Sequence, residues 1–279
     1  MTVTALQTDI VWNDIPHNLA TAEQLIRNAA ESDLYVLPEM FSTGFAPQPE
    51  GIAEPEGGEA FQWMMRMAKD TQAAITGSVA VCTSEGDYRN RMYFVKTDGT
   101  YTYYDKHHLF TYARENEYYT AGNQPVIVEW KGVKILLQVC YDLRFPCFSR
   151  NNSKPSTLNS KPSTLNSKPS TLNSQLSTPY DLCIYVASWP QSRRAVWDIL
   201  LKARAIENQC YVIGVNRVGD DPSCHYNGGT TIINPYGKVD AIAPDDAIAS
   251  ITTPLDLARL HAFRQKFPVL NDADCLHLF

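Results

Sequence analysis

The segment Lys134-Ile135-Leu136-Leu137-Gln138-Val139-Cys140-Tyr141-Asp142-Leu143-Arg144-Phe145-Pro146 decides how this chain is read. Its first six residues are an apolar-rich run of strand length. The residues after Cys140 break that run with polar and ring-bearing side chains and close on a proline. Cys140 therefore stands at a strand-to-helix elbow, with its sulfur at a sheet edge beside the positive end of a helix dipole. That setting is expected to lower the thiol pKa and favour the nucleophilic thiolate. Two further segments place polar chemistry at the end of an apolar strand: Tyr35-Val36-Leu37-Pro38-Glu39-Met40 and Tyr103-Tyr104-Asp105-Lys106-His107-His108. A carboxylate, an amine and a thiol at three strand ends suggest covalent acyl transfer.

Outward from that segment, strand and helix patterns alternate. Strands are expected over 2–8, 34–37, 73–82 and 89–95, then 100–104 after the hairpin turn Thr97-Asp98-Gly99. A second hairpin, 126–130 and 133–139, leads into Cys140. Later strands are expected at 182–187, 211–215, 230–233 and 238–242. Helices are expected over 17–31, 60–69 and 195–209, the last with apolar spacing at Ile199, Leu200, Ala203 and Ile206. Hairpins mixed with βα units imply an α/β fold of mixed sheets with helices outside, without a linker-marked boundary.

One stretch departs from this pattern. Ser-Lys-Pro-Ser-Thr-Leu-Asn occurs three times over 153–173, and a degenerate fourth copy runs 174–180. A proline in every copy forbids a continuous helix despite the seven-residue leucine spacing. The composition favours a disordered or loosely extended loop, a low-complexity insertion at about 153–179. As an αβ connection it should lie at the sheet end opposite the catalytic strand ends.

The 279 residues suffice for one sizeable core, and a net charge of -6 without a basic patch argues against nucleic acid. No apolar run reaches membrane-span length, and the start at Met1-Thr2-Val3-Thr4-Ala5 lacks the marks of a secretory signal. The cysteines at 82, 140, 147, 183, 210, 224 and 275 are scattered, with no CxxC pair. That argues against a disulfide framework, a metal site or redox work and points to a reducing cytoplasm.

At the three strand-end segments the chain resembles the nitrilase, or carbon–nitrogen hydrolase, superfamily. Leu37-Pro38-Glu39-Met40 looks like that family's glutamate motif, Asp105-Lys106-His107-His108-Leu109-Phe110 its lysine motif, and Val139-Cys140-Tyr141-Asp142-Leu143-Arg144-Phe145-Pro146 its nucleophile motif. Their order is the family's order. Gly77-Ser78, Ala121-Gly122, Arg204-Ala205-Ile206-Glu207-Asn208 and Asn234-Pro235-Tyr236-Gly237 also match, so the likeness spans the chain apart from the repeat. Phe41-Ser42-Thr43-Gly44-Phe45, Ala187-Ser188-Trp189-Pro190 and Cys224-His225-Tyr226 resemble the bacterial omega-amidase (2-oxoglutaramate amidase, YafV-type) branch.

The resemblance implies a four-layer α-β-β-α sandwich, one domain over 1–279 interrupted by the repeat, and a homodimer formed helix layer to helix layer. It implies a small-molecule amide substrate and no cofactor. Glu39 would be the general base and Cys140 the nucleophile, with Lys106 and the Tyr141 N–H holding the oxyanion. Glu115, seven residues before Gly122, takes the second-glutamate position by spacing, with Glu117 the competing choice. Arg144 would fork the remote carboxylate, though a structural salt bridge serves equally as an explanation. Phe41, Phe45 and Trp189 are either pocket walls or core. A lone thiol, lysine or glutamate would read as inert core or solvated surface, and it is their joint context that favours catalysis. His107 and His108 invite a Cys–His dyad, but adjacent strand residues face opposite ways, so at most one could face the site, and the resemblance implies that neither acts as base; both are read as structural. Other nitrilase-type activities, on N-carbamoyl or nitrile substrates, and a non-catalytic binding protein are the alternatives.

Overall fold

The computed structural model describes residues 1–151 and 179–272. In chain order the first half gives β1 (Thr2–Gln7), α1 (Ile15–Asn28), β2 (Leu34–Val36), β3 (Glu54–Pro55), α2 (Glu59–Thr71), β4 (Ala74–Cys82), β5 (Tyr88–Val95), β6 (Tyr101–Asp105), β7 (Val126–Trp130) and β8 (Val133–Val139). The second half gives β9 (Leu182–Ala187), α3 (Arg194–Glu207), β10 (Tyr211–Asn216), β11 (Val218–Asp220), β12 (His225–Asn227), β13 (Thr231–Ile233), β14 (Val239–Ile242), β15 (Ala249–Pro254) and α4 (Leu257–Lys266). Short 3-10 turns fill the connections at 111–113, 115–117 and 140–144.

Apart from β11 and β12, which pair with each other, the strands form two mixed sheets. One runs β15-β1-β2-β4-β5-β6, with β3 added along β4; the other runs β14-β13-β10-β9-β8-β7. Period-two alternation explains how each face finds its partner. In β8, Ile135, Leu137 and Val139 enter the core between the sheets, and in β9 Leu182, Ile184 and Val186 do the same. Their neighbours Leu136, Cys183, Tyr185 and Ala187 point the other way, onto Trp197, Leu201 and Ala205 of α3. On the first sheet, Val3, Ala5, Leu34 and Val36 face the inter-sheet core, whereas Leu6, Tyr35 and Leu37 pack under α1 and α2. Each sheet is thus buried on both faces, and the layers stack α-β-β-α, as the resemblance implied.

Three local expectations need correction. The buried stripe of α3 is Trp197, Leu201, Arg204 and Ala205, while Ile199 and Ile206 are 66% and 55% exposed. The stripe can include an arginine because Arg204 donates to the Leu143 carbonyl (2.6 Å) and pairs with Glu207 (2.9 Å). Helix α1 begins two residues early, since Asp14 caps it by accepting from the His17 amide at 3.1 Å. β6 stops at Asp105, so His107 and His108 lie beyond the strand. Their rings meet edge to face at 4.5 Å, rather than facing opposite ways, and stack on Phe148 and Phe145 respectively.

The repeat falls outside the described residues, apart from Pro179 and Tyr180 at its end. The residues flanking it are tied together: Asn151 Nδ2 donates to the Tyr180 carbonyl (3.0 Å) and the Tyr180 amide donates back to Asn151 Oδ1 (3.1 Å). Asp181 N donates to the Lys134 carbonyl at the start of β8 (2.8 Å). This junction lies at the sheet end opposite Cys140, as expected for an αβ connection.

Candidate active site

Glu39, Lys106 and Glu115 meet in one buried cluster, each at most 1% exposed. Lys106 Nζ donates to Glu39 Oε1 at 2.9 Å and to Glu115 Oε1 and Oε2 at 3.1 and 2.9 Å. Asn90, on β5, joins both acids: its Nδ2 lies 2.8 Å from Glu39 Oε1 and 3.2 Å from Glu115 Oε1. Glu39 Oε2 accepts from the Ser188 amide (2.9 Å) and Glu115 Oε2 from the Phe110 amide (2.6 Å). Of the two candidate acids, Glu115 is the one that joins this cluster. Glu117 is exposed and bonded to Arg114 instead (2.6 Å).

The backbone around these groups is fixed by close contacts. Gly122 donates to the Lys106 carbonyl (3.0 Å), and a Cβ there would sit 2.0 Å from the Asp105 carbonyl oxygen. A Cβ on Gly77 would meet the Leu37 Cβ at 2.8 Å, while Ser78 Oγ accepts from the Met40 amide (2.9 Å). Met40, Arg114 and Cys140 all have left-handed φ, at 45°, 63° and 44°. For non-glycine residues this costs on the order of 1–3 kcal/mol each, and the surrounding bonds hold it in place.

Cys140 opens the turn after β8 and lines the same cavity as Glu39 and Lys106. Asp142 fixes that turn. It accepts from the Val139 amide (2.9 Å), the Tyr104 hydroxyl (2.7 Å), and the amide and Nδ1 of His108 (3.0 and 2.8 Å). His107 Nδ1 is engaged by the Gly122 carbonyl at 2.6 Å. His108 thus clamps the Lys106 loop to the Cys140 turn through Asp142, and His107 ties the same loop to Gly122.

The expected low thiol pKa is overturned. The turn after Cys140 is a five-residue 3-10 segment, too short for an appreciable macrodipole. Burial, and then the neighbouring Glu39 carboxylate, push the thiol well above its ordinary value, with Lys106 opposing them. Burial pulls the Lys106 ammonium down, but Glu115 and Glu39 outweigh it and hold the lysine well above its usual range. Glu115 is raised, chiefly by burial. Burial and Glu39 thus favour the protonated thiol at rest, with the Lys106 ammonium fixed beside Glu39.

The cavity, of about 340 Å³, is walled by Phe45, Phe110, Tyr141 and Trp189, with Arg144 and Arg193 among its lining residues. Phe41 is a core residue instead, 5.6 Å from Trp63 under the helix layer. Arg144 has no ion pair among the described residues; its guanidinium carbon lies 5.3 Å from the centre of the Trp189 ring. The structural salt bridge entertained for it is absent among those residues. Sequence reasoning missed Asn90, Asp142, Ser188 and Arg193. A polar Asn beside the apolar run 92–95 was the one available signal for Asn90.

The carbon–nitrogen hydrolase family model matches residues 2–158 and 177–265, and the chain belongs to that family. It is 42% identical to omega-amidase YafV of Yersinia enterocolitica over 98% of this chain and 96% of that protein. It is 31% identical to the 2-oxoglutaramate amidase of Bacillus subtilis over 97% of this chain and 96% of the relative. Among solved structures, XC1258 from Xanthomonas campestris, a CN-hydrolase superfamily protein with an arsenic adduct in its active site, superposes with a TM-score of 0.88. That pair is 36% identical, with 100% of this chain and 99% of the other covered.

Proposed function

We propose that this protein is an omega-amidase, hydrolysing the terminal amide of 2-oxoglutaramate and similar short dicarboxylate monoamides to the acid and ammonia. The observation that carries the reading is the Glu39–Lys106–Glu115 cluster beside Cys140, in a cavity lined by the unpaired Arg144. The 42% and 31% identities to proteins named for this activity support the choice of substrate.

The chemistry follows from the protonation states. Glu39 takes the thiol proton as Sγ attacks the amide carbon. The carbonyl oxygen becomes an oxyanion held by Lys106, which stays charged through the cycle, and by the Tyr141 N–H. Collapse breaks the carbon–nitrogen bond, and Glu39 returns its proton to the leaving nitrogen, which departs as ammonia. Glu39 then removes a proton from water as that water attacks the thioester. The second tetrahedral species expels the thiolate, which recovers the proton from Glu39, and the acid leaves. Every proton is carried by a residue of the cluster, so the cycle needs no cofactor. Glu115 orients Lys106, and Arg144 receives the remote carboxylate, with Phe45 and Trp189 as walls.

Ammonia release from 2-oxoglutaramate by wild type and Cys140→Ala tests this directly, with an N-carbamoyl compound and a nitrile as comparison substrates. Wild-type release abolished by the substitution supports the proposal. Turnover confined to the comparison substrates would overturn the substrate choice, and no turnover of anything would favour a binding protein.

We further propose one domain along the chain, interrupted by the repeat, working as a homodimer in the cytoplasm. The exposed Ile199 and Ile206, seven residues apart on α3, supply an apolar stripe for a helix-to-helix contact. The six described cysteines are all free, which suits a reducing compartment, and no helix among the described residues is long and apolar enough to cross a membrane. Light scattering should give twice the chain mass for wild type and a single chain mass for Ile199→Asp/Ile206→Asp. A strictly monomeric wild type would refute the assembly.

A further inference from the structure

Two arginines line the cavity, and only one has a role so far. Arg193 closes the 3-10 turn Gln191–Arg193 that follows β9, and its guanidinium carbon lies 5.3 Å from the centre of the Phe110 ring. Among the described arginines, Arg144, Arg193 and Arg259 alone have neither a carboxylate partner nor a side-chain hydrogen bond; each lies over an aromatic ring. Arg259 lies over Tyr236, away from this cavity. The rest are engaged, as Arg91 is by Asp105 and Glu56 (2.6 Å each) and Arg194 by Asp198 (2.8 Å) and Asp245 (2.9 Å).

The two free guanidinium groups share one scaffold. Arg144 stacks over the Trp189 ring, and the same indole donates from Nε1 to the Arg193 carbonyl at 2.9 Å. A single ring thus fixes one arginine by its head and the other by its backbone. In a chain of net charge -6, two cations left without acids around one cavity are poised for an anion from outside. One guanidinium fork takes up about half of the four acceptor sites of a carboxylate. A second fork is met most fully where the ligand carries a further oxygen close to the carboxylate, as a 2-oxo acid does.

We propose that Arg193 is a second anion-binding, specificity-determining residue, and that Arg144 and Arg193 together grip the 2-oxo acid end of the substrate. This rests on the amidase reading above and adds the residue that distinguishes a 2-oxo acid amide from its plain counterpart. Arg144 takes the carboxylate from the Trp189 side, and Arg193 reaches the 2-oxo oxygen and the nearer carboxylate oxygen from the Phe110 side.

The test compares three amides of equal chain length, 2-oxoglutaramate, glutaramate and pentanamide, on wild type, Arg193→Gln, Arg193→Lys and Arg144→Gln. Arg193→Gln should lose about 10–100-fold more kcat/KM on 2-oxoglutaramate than on pentanamide, mostly through KM, with an intermediate loss on glutaramate. Arg193→Lys should recover part of that loss, because it restores the charge without the fork. Arg144→Gln should impair both anionic substrates. Inhibition by 2-oxoglutarate should weaken in Arg193→Gln more than inhibition by glutarate. Equal losses on all three amides, within about twofold, would make Arg193 structural and overturn the inference while leaving the amidase reading intact. A wild type inactive on every amide would remove both. The side chain of Arg193 is partly exposed and makes no hydrogen bond, so thermal melting should show each Arg193 variant folded as wild type.

Discussion

Glu39→Gln separates two things the carboxylate does to the thiol. Glu39 raises the Cys140 pKa, and in the proposed mechanism it is also the base that takes that proton during attack. Removing its charge should therefore make the resting thiol more reactive toward a simple alkylating agent while stopping hydrolysis. A unit charge about 4 Å away in an effective dielectric of about 20 is worth about 4 kcal/mol. Lys106, bonded to the same oxygen, cancels part of it; halving the figure leaves about 2 kcal/mol in favour of the thiolate. The thiolate fraction at neutral pH would rise about 30-fold, and the lower intrinsic nucleophilicity of a less basic thiolate would take back about fivefold. Iodoacetamide labelling of Cys140 near pH 7, followed by intact mass, should thus speed up about five- to tenfold. Amide kcat/KM should fall by about 10²–10⁴, the usual worth of a positioned base. The glutamine also presents an N–H to a donor, whether Ser188 N or the Lys106–Asn90 pair, which costs about 1–3 kcal/mol of stability. Slower alkylation in the variant would refute the reasoning. It would mean that the resting pair is a thiolate beside a protonated Glu39, contrary to the burial argument.

In wild type the same raised thiol implies labelling that keeps accelerating with pH beyond the ordinary thiol value of about 8.5; a plateau near neutrality would contradict it. Asn90→Leu removes the amide that bridges both acids, and each lost charged hydrogen bond is worth about 1.5–3 kcal/mol, so kcat should fall at least about tenfold in steady-state assay. Glu115→Gln should cut kcat/KM by about 10² or more through the loosened Lys106, whereas Glu117→Gln should stay within about twofold; equal effects would undo the assignment. Gly122→Ala forces its Cβ onto the Asp105 carbonyl and should cost about 1–3 kcal/mol in urea unfolding, with activity falling further as Lys106 shifts.

The sequence was legible where physics is local. β8 and β9 are largely apolar runs of strand length, so their boundaries match the expected ones within a residue, and Glu39, Lys106 and Cys140 stand out because each follows such a run. β15 and α4 escaped notice. β15 is a half-exposed edge strand of small and hydroxyl residues, and α4 buries Leu260 alone, so neither carries a strong period. On α3 two apolar stripes compete, and only the packed sheet shows that Trp197 and Leu201 face inward. Glu115 and Glu117 are separated in sequence only by their spacing to Gly122, yet one is buried on Lys106 and the other exposed on Arg114. The thiol pKa was misjudged for the same reason: the dipole argument uses adjacent residues, whereas burial between packed layers comes first and the Glu39 carboxylate arrives from another sheet.

That last arrangement has a consequence for how the protein wears out. Glu39, Asn90 and Lys106 ride on the first sheet, Cys140 and Ser188 on the second, and they touch across the seam through the Ser188–Glu39 and Asp142–His108 bonds. Turnover therefore depends on how two slabs are seated, and a slip of about an ångström is enough to spoil a reactive geometry. Gentle warming or hydrostatic pressure should silence the protein while far-UV ellipticity is still native. Its working lifetime is then governed by the tightness of the seam, and a better-filled layer between the sheets would prolong service more than any reinforcement of the outer helices.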